Sequence, residues 1–127
     1  MPIKVLLVDD HLFDSVLTMQ AMADCRIAHK FVAASDGQEA LDALAKHDFD
    51  LILLDIKMPR VDGLEFLQRL RRNAASVIPV IVLSSSNLEV DRQRAFSLNA
   101  IEYVHKAIDY SEFKDQLHSA LARHGFC

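Results

Sequence analysis

Residues 51–59 read LILLDIKMP, and they contain the strand from which the fold of this chain is predicted. Four consecutive apolar residues without alternation are typical of a strand that is buried on both faces, as in the centre of a parallel sheet. The apolar run ends at Asp55, and Pro59 cannot extend a strand ladder. Ligands of open α/β sheets bind at the carboxyl ends of the strands. Asp55 is therefore a candidate functional residue.

Strand-like runs alternate with helix-period segments along the rest of the chain. We predict strands at about 3–8, 30–34, 50–54, 78–83 and 101–105, and helices at about 12–24, 37–46, 63–72, 87–98 and 110–123. Five consecutive βα units predict an open, doubly wound parallel sheet with helices on both faces.

The predicted helices have marked ends. A capping residue stands three positions before a glutamate at four helix starts: Asp36 and Glu39, Asp62 and Glu65, Ser86 and Glu89, Asp109 and Glu112. Gly37 and Gly63 at first helical positions allow a close approach of the chain, and Asn99 is expected in a left-handed conformation after the fourth helix. These signals concern the fold and not the chemistry.

Composition sets limits on the class of protein. The 127 residues are 51% hydrophobic and 25% charged, which is typical of one globular domain. The net charge of −4 argues against a nucleic-acid-binding surface, and the apolar runs are shorter than the ~20 residues of a membrane helix. Residues 1–4 lead directly into a strand without a signal-peptide pattern. Cys25 and Cys127 have no CxxC spacing, so we expect free cysteines, no disulfide and a cytoplasmic location.

Polar residues follow four of the predicted strands. In a doubly wound sheet these strands end at one edge, which would collect Asp9, Asp10, Asp55, Ser84 and Lys106. Two carboxylates ~4 Å apart repel by roughly 4 kcal/mol at an effective dielectric constant near 20. One lysine does not offset three carboxylates, so a hard divalent cation is expected. Oxygen ligands favour Mg²⁺, and the absence of a Cys or His cluster in the sequence argues against zinc.

A carboxylate beside Mg²⁺, a lysine and a hydroxyl is suited to receiving a phosphoryl group. Phosphoryl transfer requires positioning and charge neutralisation more than covalent help from the protein. A carboxylate oxygen would be the nucleophile and would form an aspartyl phosphate. The cation, Lys106 and the Ser84 hydroxyl would then stabilise the three phosphoryl oxygens.

Over nearly its full length the chain resembles a response-regulator receiver domain of two-component signalling. The resemblance is carried by Asp9-Asp10, Asp36-Gly37-x-Glu39-Ala40-Leu41, Asp55 with Met58-Pro59-x-x-Asp62-Gly63, Ser84 and Tyr103-x-x-Lys106. It implies a single receiver domain over residues 1–127, with the flavodoxin-like strand order 2-1-3-4-5.

The resemblance also implies a role for each site residue. Asp55 would be the phosphoacceptor, with Asp10 and Asp55 binding Mg²⁺ directly. Asp9 would act through a bound water, and the backbone carbonyl of Lys57 would complete the protein ligands. Ser84 and Tyr103 would form the switch that changes the face built from helix 4, strand 5 and helix 5 on phosphorylation.

The implied partners are a histidine kinase or phosphotransfer protein as donor and another protein as downstream target. Such a stand-alone domain is a switch that catalyses its own phosphorylation and dephosphorylation, and is not an enzyme in the ordinary sense. Three alternatives stay open: a degenerate receiver acting as an interaction module, a flavodoxin-like FMN carrier and a metal-dependent phosphohydrolase. The intact acidic residues, Ser84 and Lys106 count against the first. The missing phosphate-binding loop after strand 1 counts against the second.

Two regions depart from the family pattern. Ala107 replaces the usual proline after Lys106, and we expect a trans peptide bond between them because a non-proline cis bond costs ~2.5–4 kcal/mol. Apolar or aromatic residues occupy positions near strand 5 that are unusual for the family, and they accompany the family residue Tyr103: Leu88, Val90, Ile101 and Tyr110. Because Ile101 and Tyr103 are two residues apart, we predict that they share one side of an edge strand. The five would form an apolar patch for homodimerisation or target docking. The six histidines lack ligand spacing and are expected at the solvated surface.

Overall fold

The computed structural model describes residues 2–58, 61–72, 77–85, 88–106 and 109–127. The strands are β1 (Ile3–Val8), β2 (His29–Ala34), β3 (Leu51–Leu54), β4 (Val80–Ser84) and β5 (Glu102–His105). The helices are α1 (Leu12–Met22), α2 (Gly37–Lys46), α3 (Gly63–Arg72), α4 (Glu89–Ser97) and α5 (Tyr110–Arg123). All ten predicted elements are confirmed. The predictions made for Pro59, Ser86 and Ala107 fall outside the described residues.

The sheet is parallel throughout, with the predicted order β2-β1-β3-β4-β5. The central strand β3 is buried along its whole length, as its continuous apolar sequence predicts. Backbone hydrogen bonds align the carboxyl ends of the strands. The Asp55 N–H donates to the Val8 carbonyl at 2.9 Å, and the Lys106 N–H donates to the Ser84 carbonyl at 2.8 Å. The residues that follow β1, β3 and β5 are therefore placed at one edge.

Alternation along the strands produces two apolar layers, one on each face of the sheet. The layer that contains Leu6, Ile52 and Val82 is covered by α2, α3 and α4. The layer that contains Leu7, Leu53 and Leu83 is covered by α1 and α5. None of the helices formed by the described residues combines the length and the apolar composition that crossing a bilayer requires.

Most of the predicted helix ends are confirmed in detail. The Asp36 carboxylate accepts from the Glu39 N–H at 2.8 Å, and Asp62 accepts from the Glu65 N–H at 2.9 Å. Asp109 caps α5 through the Ser111 N–H instead of that of Glu112. Helix α4 has Leu88 at its N-cap position, where an apolar side chain cannot accept a hydrogen bond.

Asn99 and Gly63 fix two turns that the sequence marks. Asn99 follows α4 with a φ of 65°, in the left-handed region as predicted. Gly63 begins α3 against the chain that carries Asp55, and its N–H donates to the Ile56 carbonyl at 2.9 Å. A Cβ at this position would lie 2.1 Å from the Asp55 carbonyl oxygen. Only glycine allows α3 to start this close to the candidate functional residue.

The cysteine prediction is wrong. Cys25, between α1 and β2, and Cys127, after α5, form a disulfide across 102 residues of sequence. Their spacing could not reveal this, because the parallel topology brings the end of α1 and the end of α5 together. The expectation of a cytoplasmic location loses the support that it drew from unpaired cysteines, since disulfides are uncommon in reducing compartments.

Candidate functional site

Asp55 lies at the carboxyl end of the central strand. Its side chain is only 6% exposed, and its carboxylate accepts a hydrogen bond from the backbone N–H of Lys57. The strand on one side is followed by Asp9, and the strand on the other side ends at Ser84. The prediction that polar residues gather at this edge is confirmed for these positions.

The two aspartates after β1 stand beside Asp55. Oxygen atoms of Asp9, Asp10 and Asp55, together with a ring nitrogen of His11, all lie within 4.8 Å of one another. We refer to Asp9, Asp10 and Asp55 as the acid cluster. Sequence reasoning placed His11 at the solvated surface, and its side chain is indeed 65% exposed. Its Nδ1 nevertheless lies 2.9 Å from Asp10 Oδ1, and its backbone N–H donates to Asp9 Oδ1.

Lys106 is the cation nearest the acid cluster among the described residues. Its Nζ lies 2.7 Å from Asp9 Oδ2 and 3.7 Å from Asp55 Oδ2, with 15% of the side chain exposed. It also lies 3.4 Å from Asp14 Oδ2, on the first turn of α1. Sequence reasoning did not identify Asp14. Its position five residues after Asp9, in a helix that begins at the functional edge, was the available signal.

Burial and charge shift the pKa values of two site residues. Burial raises the pKa of Asp55 to about 6, and Asp9 and Asp10 add to this effect, while Lys106 and the Lys57 N–H oppose it. Burial alone would favour the neutral amine of Lys106. Its contacts with Asp55, Asp9 and Asp14 outweigh that effect and raise its pKa. The lysine therefore stays charged, but one positive charge does not neutralise the acid cluster.

The acid cluster fits a hard divalent cation. Asp10 Oδ1 is buried and accepts no hydrogen bond from the described residues, although His11 Nδ1 is 2.9 Å away. A buried carboxylate oxygen without a hydrogen bond is costly unless a cation contacts it. Three carboxylates offer the oxygen ligands that Mg²⁺ takes while it keeps several waters. The chemistry of Asp9, Asp10 and Asp55 thus matches the predicted cofactor.

Ser84 and Tyr103 lie on neighbouring strands at the same side of the sheet. Ser84 is fully buried at the end of β4 and is paired in register with His105. Tyr103 is partly buried, and its ring packs against the layer covered by α2, α3 and α4. The Arg92 guanidinium carbon on α4 lies 5.8 Å from the centre of the Tyr103 ring. This contact links β5 to α4.

The predicted apolar patch is only partly correct. Leu88 and Val90 are each 57% exposed and Tyr110 is 37% exposed. Ile101 precedes β5, is partly buried and packs against the layer covered by α1 and α5, opposite to that of Tyr103. The inference that Ile101 and Tyr103 share one side is therefore wrong, because side chains on the two faces of the sheet belong to different layers. Phe96, which the sequence reading missed, is exposed on α4 beside Arg92. We call Leu88, Val90, Tyr103 and Tyr110 the output face.

Comparison with known proteins identifies close relatives. The family described as the response regulator receiver domain matches residues 5–118. A probable methanogenesis regulatory protein, FilR2 of Methanothrix harundinacea, is 32% identical over 120 residues, which cover 89% of this chain and 77% of FilR2. A probable cyclic di-GMP phosphodiesterase of Vibrio cholerae is 34% identical over 118 residues, which cover 92% of this chain and 26% of that protein.

Solved structures show the same architecture. The phosphorylated cyanobacterial phytochrome response regulator RcpA is 30% identical, with a TM-score of 0.87 over 95% of this chain and 92% of RcpA. The Mn²⁺-bound form of the response regulator Rcp1 is 28% identical, with a TM-score of 0.86 over 95% of this chain and 93% of Rcp1. Several curated relatives are longer: the chain spans about a quarter of the V. cholerae protein and about half of PhoP of Bacillus subtilis.

Proposed function

Because the chain belongs to the response regulator receiver domain family of two-component signalling, we propose that it is a phosphoacceptor switch in which Asp55 receives the phosphoryl group. The observation that carries this proposal is the position of Asp55, buried at the end of β3, with Lys106 3.7 Å away and two further carboxylates beside it. Membership of the family implies a kinase or phosphotransfer protein as donor.

The proposed transfer starts from a phosphohistidine of the donor. An Asp55 carboxylate oxygen attacks phosphorus, the bond to the histidine nitrogen breaks, and the histidine ring leaves with the electron pair of that bond. Asp9, Asp10 and Asp55 would hold Mg²⁺, with the Lys57 carbonyl as a further ligand, and the bound cation supplies charge neutralisation for the phosphoryl oxygens. Lys106 would pair with one phosphoryl oxygen after moving away from Asp9.

The proposed conformational change would begin at Ser84 and extend to the output face. A phosphoryl group on Asp55 offers new acceptor oxygens, and the Ser84 hydroxyl would donate to one of them. Tyr103 would then adjust its packing beside Arg92 and change the surface formed by α4, β5 and α5. Phosphorylation shifts the equilibrium between the inactive and the active conformation. The size of this shift is set by the difference in free energy of the phosphoryl contacts in the two conformations.

We further propose that the receiver domain binds a downstream protein target or a second copy of the chain on the output face. Direct nucleic-acid binding is not part of this proposal, because the net charge is −4. Some relatives are transcriptional regulators, such as PhoP of B. subtilis, and the chain matches only about half of that protein.

Phosphorylation with acetyl phosphate tests the proposal. Wild-type protein with Mg²⁺ should gain one acid-stable, base-labile phosphoryl group per chain, measured by intact mass spectrometry. Asp55→Asn or EDTA should abolish this gain, whereas the control Asp48→Asn, at an exposed position on another edge, should leave it unchanged. Equal phosphorylation of the Asp55→Asn protein would refute the assignment. No phosphorylation of the wild type would favour a degenerate receiver.

A further inference from the structure

A second cluster of metal-binding side chains lies far from the acid cluster. Cys25, His118 and Cys127 each offer one ligand atom, and these atoms all lie within 4.8 Å of one another. Cys25 lies between α1 and β2, before the amino end of the sheet, whereas Asp55 follows the carboxyl end of β3. We propose that Cys25, His118 and Cys127 form a redox-gated zinc site, closed by the Cys25–Cys127 disulfide and opened by its reduction.

The distances suit a zinc ion after a small adjustment. Zinc binds sulfur at about 2.3 Å and imidazole nitrogen at about 2.0 Å, so two ligand atoms of a tetrahedral ion stand about 3.5–3.8 Å apart, and the two sulfur atoms must move apart once the disulfide is reduced. All three residues are partly exposed, which gives a metal ion access from solvent. Two thiolates and one imidazole are a ligand set that favours zinc over magnesium, and a water molecule can take the fourth position.

The contact of His118 with α1 defines the tautomer of its ring. Its Nε2 contacts the Ala21 backbone carbonyl oxygen, which can only accept a hydrogen bond. Nε2 therefore carries the hydrogen, and the lone pair of the neutral ring lies on Nδ1. Histidines that bind metals commonly donate their other N–H to a backbone carbonyl in this way, which fixes the tautomer.

Both cysteines are held close by contacts that do not depend on the disulfide. The Cys25 N–H donates to the Met22 carbonyl at the end of α1, and the Phe126 N–H donates to the Leu121 carbonyl at the end of α5. His29 Nε2 lies 2.7 Å from the Phe126 carbonyl oxygen, and Lys114 pairs with Asp24 between α5 and α1. Reduction would therefore release the sulfur atoms without separating the segments that carry them.

A dithiol reductant can open the Cys25–Cys127 disulfide by thiol–disulfide exchange. A thiolate of the reductant attacks one sulfur of the Cys25–Cys127 bond, and the second reductant thiol displaces the mixed disulfide. Two electrons and two protons pass to the protein, which yields two cysteine thiols and an oxidised reductant. Zinc binding then displaces the thiol protons. Oxidation by a disulfide reforms the Cys25–Cys127 bond and releases the ion.

Cobalt is the probe that distinguishes this site from the acid cluster. Co²⁺ bound by thiolates gives a sulfur-to-metal charge-transfer band in the near ultraviolet, which carboxylate ligands do not produce. Protein reduced with a phosphine and freed of it should show this band, saturating at one Co²⁺ per chain, and Zn²⁺ should remove it. The disulfide form should show no band at the same Co²⁺ concentration.

Variants assign the ligands. Cys25→Ser and Cys127→Ser should each lose most of the charge-transfer intensity, and His118→Ala should weaken Zn²⁺ binding by more than about tenfold. His47→Ala, at the exposed histidine that follows α2 and lies outside the cluster, is the matched control. Circular dichroism and Asp55 phosphorylation by acetyl phosphate verify that each variant is folded. The proposal is overturned if folded, reduced wild type shows no charge-transfer band with Co²⁺. It is also overturned if Cys25→Ser leaves the intensity of this band unchanged, or if His118→Ala and His47→Ala bind Zn²⁺ with equal affinity.

Discussion

At the scale of single residues, the acid cluster is an unfavourable arrangement of charges that the fold maintains. Burial of Asp55 is the largest contribution to its raised pKa, and the neighbouring aspartates add to it. Lys106 contacts Asp9 more closely than Asp55, so its charge is shared between them. A bound cation or a proton would reduce this electrostatic cost. The repulsion therefore favours the binding of a cation beside the Asp55 carboxylate.

The raised pKa of Asp55 predicts a pH dependence of stability. A carboxyl group whose pKa is higher in the folded than in the unfolded protein favours folding fully below its unfolded pKa, and this contribution is lost as pH rises through about 6. In EDTA, wild type should therefore gain about 1.5 kcal/mol of unfolding free energy relative to Asp55→Asn when pH falls from 8 to 5. Urea unfolding of both proteins at the two pH values measures the difference. A gain of the same size in Asp55→Asn would show that other groups cause it.

At the scale of secondary-structure elements, local sequence carries most of the fold. Continuous apolar runs predict β3 and β4 because each of these strands is buried on both faces. Asp36 and Asn99 predict helix ends because capping and left-handed turns depend on neighbouring residues only. The predicted ends of the strands also indicated that one edge of the sheet carries these polar residues: Asp9, Asp10, Asp55, Ser84 and Lys106.

What the sequence did not predict depends on how the elements pack. The contact of Asp14 with Lys106 spans 92 residues and requires the orientation of α1, which periodicity does not supply. The disulfide between Cys25 and Cys127 depends on α1 and α5 lying side by side. Ile101 was misplaced because strand alternation was extended to a residue that lies before β5. The first two omissions concern contacts between distant segments, and the third error concerns the residue at which β5 begins.

The start of α3 gives a test at this scale. Gly63→Ala would place a Cβ 2.1 Å from the Asp55 carbonyl oxygen and 2.7 Å from the Ile56 Cα, and backbone atoms cannot move aside cheaply. We expect a loss of at least about 1–3 kcal/mol in unfolding free energy, together with slower phosphorylation, because the segment that carries Asp55 must shift. Urea unfolding and acetyl phosphate kinetics measure the two effects. Gln38→Ala, at a partly exposed position in the first turn of α2, is the control. Equal values for the two variants would contradict the close-approach argument.

At the scale of the whole molecule, the proposed output face contains large apolar side chains that are exposed to solvent. Leu88 and Val90 flank the start of α4, where solvent contact of two large side chains is unfavourable unless a partner covers them. Arg92, on the same helix, contacts the Tyr103 ring and so connects α4 to the proposed switch. Neither Leu88 nor Val90 belongs to the group of residues around Asp55, so we expect their substitution to leave the phosphoacceptor chemistry unchanged.

Val90→Asp should separate binding from phosphorylation. We expect unchanged acetyl phosphate labelling of Asp55 but weaker self-association or target binding with beryllofluoride and Mg²⁺, because the substitution places a charge in the apolar output face. Sedimentation velocity measures self-association. Val77→Asp, at an exposed valine before β4, is the matched control. The same association state for wild type, Val90→Asp and Val77→Asp, with no loss of a target, would remove the output face from the mechanism.

The disulfide joins the segment after α1 to the segment after α5. We therefore expect it to affect the stability of the whole chain. A link between residues 102 positions apart restricts the unfolded chain over most of its length. The entropy of closing so long a loop predicts that reduction lowers the free energy of unfolding by about 2–5 kcal/mol. Urea unfolding with and without a phosphine reductant, both in EDTA, measures this loss. Cys25→Ser should resemble the reduced wild type and should not respond to the reductant. If reduced and oxidised wild type unfold at the same urea concentration, the prediction that the disulfide stabilises the fold is wrong.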